Sequence, residues 1–596
     1  MKMTFLRAML LTLVLAILLT GAIGCTDIYD AILGDSPVDT EDREVKTEID
    51  QAMLEYMAMA EYQSMLDLFL QWGGNISIGS GEGGTSLKTD KTMTPDQLRN
   101  TVYSVTTDES GKTVTKTWYD YFFSMAEATA VEVGAFCKEA EKHNVVLSDA
   151  EFFTVTKNYA SIEAEAKLCD MSLGKYLKTY YGRGVSSQTV FDALKMYALS
   201  AKWRSIKEQE FSATITDDLI EAHYLENREE YDVYCDYIGI TFKVVLEDKT
   251  EADIKAYRDA QERFSYYIED LASTTGKEAF SEKLKGYLLA EEKLRMATEK
   301  GKDITDLTAE EIAECDSQAN EALLRSTYKN VREVSFSTQS SVVITVQNGQ
   351  ISKTQFTYYD ANVSEWLFEY IDQGDGAGRA YLRKPNDVMK SVREIDADTA
   401  PAGNSSTYSI YFYIDGMHTD NTHVRDADHI FFASLVYDGL TSSEQLDGKL
   451  KELADRLFER NKDVEGYELT AYAMACELLD MLFEEGKITE VTEGDKKYYK
   501  IDKAVFEEYS LFYAGASSVS GENAFIILEP YGFDEWLFDA DRVVGEISYP
   551  EPVFATSGYS IIYCAGEDTV AWKQEIKGKL LAELIQNYIK EITENN

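Results

Sequence analysis

The sequence predicts an α+β protein: a long helical front half, then two copies of a mixed strand–helix unit, the first enlarged by insertions. Three observations carry this reading. Helical periodicity and capping signals run almost without a break over 95–230. At 233–246 the chain turns β-rich and aromatic, VYCDYIGITFKVVL. The helix-like SEWLFEYID of 364–372 is written again as DEWLFDADR at 534–542, and a strand-like segment comes after each copy, TYSIYFYI at 407–414 and SGYSIIYC at 557–564.

The first 24 residues read as a signal peptide. Lys2 and Arg7 form a positive start, and Ala8 to Leu19 form an apolar run too short to span a bilayer comfortably. The run ends in TGAIGC, where small residues precede Cys25, the residue expected to carry a lipid. A plain signal peptide or an uncleaved anchor remains the alternative, because Ala22 stands where a lipid-attachment signal usually has Leu. Residues 25–46 form a polar tether, and a lipid of more than one chain would hold the protein on a membrane surface.

A helical domain is expected over 47–232. A helix rich in Met, Leu and Tyr runs from Thr47 to about Trp72, and a Gly/Ser-rich stretch at 73–88 breaks it as a flexible loop. The next helix opens near Thr117 and runs past Cys137. Ser148 and Glu151 form a capping box for another, because their side chains satisfy free amides of the first turn. Ser172 precedes a short helix stopped by glycines. Ser186 or Ser187 caps a long one with Val190, Leu194, Tyr197 and Ala201 on one face, and Thr216 starts the last.

The first mixed domain spans 233–417, with a charged helical insertion at about 250–330 and a glycine-containing surface insertion after the Trp-Leu-Phe turn. The second spans 424–567. Its helix carries Leu446, Leu450, Leu453 and Leu457 on one stripe behind a Ser442–Gln445 capping box. A hairpin is expected at 486–501, and residues 568–596 read as a C-terminal helix. Trp366 lies 42 residues before Tyr408 but Trp536 only 23 before Tyr559, so the extra chain belongs to the first copy. Both tryptophans read as core anchors of their helices.

Of 596 residues 44% are hydrophobic, with 39 Tyr and 26 Phe, enough for several cores. The formal charge of -47 repels phosphate backbones, so nucleic acid is excluded as a partner, while basic or apolar polypeptides suit such a surface. Beyond Cys25, six scattered cysteines show neither C-x-x-C nor histidine at ligand spacing. They read as buried apolar residues, and no metal or other cofactor is expected.

Three segments of the second mixed domain, in order, resemble the parvulin-type peptidyl-prolyl isomerases: the strand RDADHIFFA (425–433), the helix and turn FDEWLFDADRVVGEIS (533–548) and the strand pair EPVFATSGYSII (551–562). The helical front half, with DDLIEAHYLENREEYD leading into a strand, resembles the chaperone core of extracytoplasmic foldases of the PrsA and SurA type. The resemblance implies a foldase lipoprotein, anchored on the extracytoplasmic face of the cell membrane. It would bind unfolded or partly folded secreted polypeptides and catalyse cis/trans isomerisation at X-Pro bonds.

Carried over by position, the likeness makes His429 and Ser560 the catalytic pair, with Phe533, Phe538, Ser557 and Tyr559 binding substrate. Ser560 stands where the family has its second histidine. Phe512 falls where a Cys or Asp is expected, and Glu529 where Met or Leu would line the pocket. In the first copy Tyr237 is placed at the His429 position and Ser409 at that of Ser560, which implies a degenerate, structural or peptide-binding domain. Two other readings stand beside this one. The same scaffold serves as a holdase without catalysis, and His429 is then an ordinary core histidine. A solute-binding lipoprotein would need two parallel-sheet lobes, and the helical front half argues against it.

Overall fold

The computed structural model describes residues 42–594 apart from 72–75, 79–84, 88–91, 108–112, 334–339, 348, 358–360, 373–378, 445, 447, 495, 511–516, 520–531 and 556. The expected signal peptide, Cys25, most of the tether, Phe512 and Glu529 therefore lie outside the described residues. The fold is α+β, and the chain divides into two compact units. One holds the chain up to Thr216, His423–Thr569 and Lys577–Asn596; the other holds Asp217–Thr422 and Val570–Ile576. No helix among the described residues is long and apolar enough to cross a membrane.

The first unit begins with α1 (Gln51–Gln71), two short paired strands β1 (Ile76–Ile78) and β2 (Thr85–Leu87), and α2 (Pro95–Arg99). The stretch read as a plain Gly/Ser loop thus carries a hairpin. A second hairpin, β3 (Val102–Thr107) with β4 (Thr113–Thr117), interrupts a stretch expected to be helical. Its Val/Thr alternation favours pleated backbone. Four helices come next: α3 (Trp118–Lys142), α4 (Asp149–Leu168), α5 (Leu173–Tyr180) and α6 (Ser187–Ser212). Capping boxes at Thr117, Ser148 and Ser186 start α3, α4 and α6, whereas Ser172 makes no side-chain cap. Their shared core buries Trp118, Phe122, Phe136, Tyr159 and Phe191.

In the second unit come α7 (Asp217–Glu226), α8 (Arg228–Tyr231) and the long strand β5 (Tyr234–Leu246). The charged stretch 250–330 forms α9 (Glu251–Ala272), α10 (Lys277–Lys300) and α11 (Ala309–Arg325) before β6 (Thr327–Arg332). Phe264, Ile268, Phe280 and Leu284 of these helices pack on Ile240, Phe242 and Ile410 of the sheet. The unit continues with β7 (Ser340–Gln347), β8 (Gln350–Thr357), α12 (Ala361–Leu367), β9 (Tyr370–Asp372), β10 (Arg379–Tyr381), β11 (Val388–Arg393) and β12 (Asn404–His418). The main sheet runs β11-β12-β5-β7-β8, with β6 also on β5; among the described residues only its β5–β7 pair is parallel.

The first unit resumes with β13 (His423–Val424), β14 (Ala427–Ala433), α13 (Ser434–Tyr437), α14 (Gly448–Arg460) and α15 (Ala471–Glu484). Helix α14 begins at Gly448, and Gln445 of the expected Ser442–Gln445 capping box lies outside the described residues. The leucine stripe nevertheless packs inward, with Leu446, Leu453 and Leu457 buried. Next come the hairpin β15 (Thr489–Glu493) and β16 (Lys496–Lys500), then α16 (Lys503–Ser510), β17 (Ser517–Val519), α17 (Gly532–Leu537), β18 (Val553–Ala555), β19 (Gly558–Cys564), β20 (Thr569–Val570) and α18 (Ala571–Glu594), of which Val570–Ile576 belongs to the second unit. The four-stranded antiparallel sheet is ordered β17-β14-β19-β18. Ile430, Phe432 and Ile561 of one face pack on Met474, Leu478 and Leu482 of α15. Between α14 and α15 the buried Glu477 carboxylate takes Arg456 and Arg460, each at 2.7 Å.

The end of α18 belongs to the helical core, which no local pattern in the sequence indicates. Ile592 is buried there, and the Tyr588 hydroxyl accepts from Trp203 Nε1 at 3.0 Å while its ring meets Phe211. Deleting residues 577–596 should expose this face and lower the thermal midpoint of the helical signal by several degrees. An unchanged melt by circular dichroism would contradict this packing.

Candidate functional site

Strand geometry alone sorts the side chains, because successive residues point to opposite faces. On β14, Ile430 and Phe432 enter the core against α15, which leaves Ala427, His429 and Phe431 for the other face. On β19, Ile561 and Tyr563 enter that same core, which leaves Ser560, Ile562 and Cys564. The second face is covered by the Trp-Leu-Phe helix α17: Ala427, Leu537, Ile562 and Cys564 form a small cluster joined by Phe533, Trp536, Phe538 and Val553.

The antiparallel register sets His429 opposite Ile562 and Phe431 opposite Ser560. His429 and Ser560 are therefore diagonal neighbours, and His429 Nδ1 lies 3.1 Å from the buried Ser560 hydroxyl. The Phe533 ring stands edge-on to the imidazole, centroids 5.5 Å apart at 84°. Burial holds the His429 pKa below its ordinary 6.5, so the ring is neutral at pH 7 and can exchange one hydrogen bond with Ser560. The result is one polar pair on an apolar wall.

Three residues that sequence reasoning missed fix this wall. Arg425 donates to the Leu537 carbonyl at 2.7 Å, and Arg542 donates to the Trp536 carbonyl at 2.8 Å. Cations on the terminal carbonyls hold the end of α17. The Arg542 guanidinium also stacks over the Trp536 ring at 3.8 Å and pairs with Glu546. Ser548 exchanges hydrogen bonds with Ile562 at 2.8 and 2.9 Å, which clamps the outer edge of β19. Arg542 closely trails the Trp-Leu-Phe motif and Arg425 opens the strand segment that carries His429; that adjacency was the only signal available.

The expected site residues do not all converge. His429, Ser560, Phe533 and Phe538 share the α17 face. Tyr559 does not: as the neighbour of Ser560 on a strand it points to the opposite face, where its ring meets Tyr472 at 5.1 Å and Phe554 at 5.6 Å. Ser557 is exposed in the turn before β19, and its carbonyl accepts from the Ser434 amide at 2.9 Å. Tyr559 therefore faces away from His429.

The same register corrects the reading of the first copy. There Ser409 pairs with Thr241 as Ser560 pairs with Phe431, and Tyr411 pairs with Gly239 as Ile562 pairs with His429. Gly239, not Tyr237, therefore stands at the histidine position, and Tyr237 corresponds to Ala427. A Cβ on Gly239 would lie 2.9 Å from the Tyr411 ring and 3.0 Å from the Tyr237 ring, so a side chain there would have to displace both rings. The Tyr237 ring stacks on Tyr328 at 4.6 Å, and the Ser409 hydroxyl is taken by Thr241 at 2.8 Å. Tyr237, Tyr411 and Tyr413 stand where the second copy has Ala427, Ile562 and Cys564. Trp366, near Tyr413 at 6.2 Å, and Trp536 are both packed against their sheets, as core anchors should be.

Among the described residues no three His, Cys, Asp or Glu side chains are grouped to hold a metal ion. No family model matches the chain, and no curated protein matches it.

Proposed function

We propose that the chain is a lipid-anchored extracytoplasmic foldase with one peptidyl-prolyl isomerase site, on the α17 face of the C-terminal sheet. The observation that carries this reading is the His429–Ser560 pair at 3.1 Å beside Phe533, because it joins residues from all three parvulin-like segments. Phe538 and Ile562 extend the apolar wall on which a proline ring would rest. The chemistry needs no covalent step. Amide resonance sets a barrier of roughly 18–20 kcal/mol, and a site that favours the twisted amide over the planar one lowers it. The neutral His429–Ser560 pair supplies the polar partner for the twisted bond. Cys25 would carry the anchor, and the helical front half would hold unfolded secreted clients.

One observation favours a second reading, a holdase on the same scaffold without catalysis: Ser560 stands where the resembled family has its second histidine. One pair of assays separates the two. On the foldase reading, His429→Ala lowers isomerisation of a proline tetrapeptide at least tenfold but leaves suppression of client aggregation intact. Equal isomerisation by both proteins removes His429 from the mechanism. Suppression of aggregation with no isomerisation in either protein selects the holdase.

The depressed His429 pKa sets the pH dependence. The site works with a neutral ring, so its rate should be flat above pH 6.5 and fall on acidification below that, as the imidazole gains its proton. A rate that rises on acidification would contradict a neutral His429.

A further inference from the structure

The face of the C-terminal sheet opposite His429 is also built for contact. Helix α15 lies across that face, and Tyr472, Cys476, Asp480 and Phe483 recur at spacings of four, four and three, so they share one outer stripe. Tyr472 is 41% and Phe483 43% exposed. At one end of the stripe the Tyr472 ring meets Tyr559, and Tyr559 meets the 49% exposed Phe554 of β18. At the other end Phe483 stacks on Tyr549 at 5.1 Å and 13°, and Tyr549 meets Tyr499 at 4.6 Å. Six aromatic rings thus sit in two groups.

Between the groups lie two carboxylates. Asp480 is on the stripe itself, and burial pushes the Cys476 thiol upward against a Tyr472 hydrogen bond that lowers it, with the charges of Asp480 and Glu551 adding to the rise. Glu551 and Asp480 are exposed, and Arg460 reaches Asp480 only at 3.5 Å while also binding Glu477 and Glu484. At 1.5 Å per residue, Tyr472 and Phe483 stand about 16 Å apart, the span of about five extended residues.

We propose that this stripe is a second, non-catalytic docking surface for an extended polypeptide segment in which aromatic or large apolar residues flank a lysine or arginine. Rings at either end bury the apolar side chains, and Asp480 with Glu551 takes the cation. Charge complementarity selects this occupant over an acidic one, since the stripe carries carboxylates on a chain of net charge -47. That the partner is an unfolded client rests on the foldase reading; the surface itself does not. Tyr559 and Ser560, adjacent on β19, would then serve the two faces separately.

The test uses the purified chain and a labelled nine-residue, proline-free peptide that alternates Phe and Lys, read by fluorescence anisotropy. Phe483→Ser, and separately Tyr472→Ser with Phe554→Ser, should each raise Kd at least tenfold. Because these side chains are exposed at opposite ends, one variant reports even if the other is perturbed. Asp480→Asn with Glu551→Gln should weaken binding and flatten its salt dependence, and a peptide with Glu in place of Lys should not bind. His429→Ala should leave Kd unchanged, and Phe483→Ser should leave isomerisation of a short proline peptide unchanged, so this proposal and the isomerase reading fail separately. Wild-type affinity in both aromatic variants overturns the proposal, as does a loss of binding caused by His429→Ala. A chain that sediments as a dimer and is made monomeric by Phe483→Ser would show that a second copy covers the stripe, and this also overturns it.

Discussion

Replacing Gly558 by alanine should break the pairing of β14 with β19 and lower the stability of the C-terminal sheet by about 3 kcal/mol or more. A Cβ at this position would sit 2.1 Å from the Phe432 carbonyl oxygen and 3.0 Å from Ala433 Cα, both backbone atoms that cannot rotate away. Gly558 pairs with Ala433 at the start of the register that brings Ser560 to His429. The substitution should therefore abolish the site as well as destabilise the sheet. Denaturant unfolding of the two proteins checks it, and a difference under about 0.5 kcal/mol would contradict the close approach of these strands.

Glu61→Gln should do the reverse and stabilise the helical core, by about 3 kcal/mol at pH 8. Glu61 lies on α1 at 3% exposure. One carboxylate oxygen receives a weak 3.4 Å hydrogen bond from Thr129, the other has no hydrogen-bond partner, and no cation among the described residues pairs with it. Burial raises its pKa from 4.5 to about 7. The folded state thus holds the proton more tightly than the unfolded chain, so stability is full below pH 4.5 and declines as pH rises toward 7. Glutamine keeps the shape and cannot ionise. Its advantage should be large at pH 8 and nearly absent at pH 4. An equal effect at both pH values would show that the charge is not the cause.

How much of this could be read in the chain depended on whether the signal was local. Capping boxes at Ser148 and Ser186 and the leucine stripe of α14 are local, and each appears where the residues put it. The Val/Thr hairpin at 102–117 was missed because flanking helices dominated the pattern. The repeated Trp-Leu-Phe turn was legible as a motif, and its partners on the sheet were not. Antiparallel register is a long-range property, and a two-residue error moved the histidine counterpart from Gly239 to Tyr237. A one-residue step likewise puts Tyr559 on the face away from Ser560. Nothing local in residues 577–594 says that they close a core whose Trp203 lies 385 residues before its partner Tyr588.

If the His429–Ser560 face turns over X-Pro bonds, NMR exchange spectroscopy on a proline peptide, with the chain at a hundredth of the peptide concentration, should show it most directly. Uncatalysed exchange takes tens of seconds or more. With the chain present, cis/trans cross-peaks should build up within a second, and they should vanish with His429→Ala. Exchange no faster than in peptide alone, from a chain whose helical signal is intact, would mean that this face does not catalyse isomerisation.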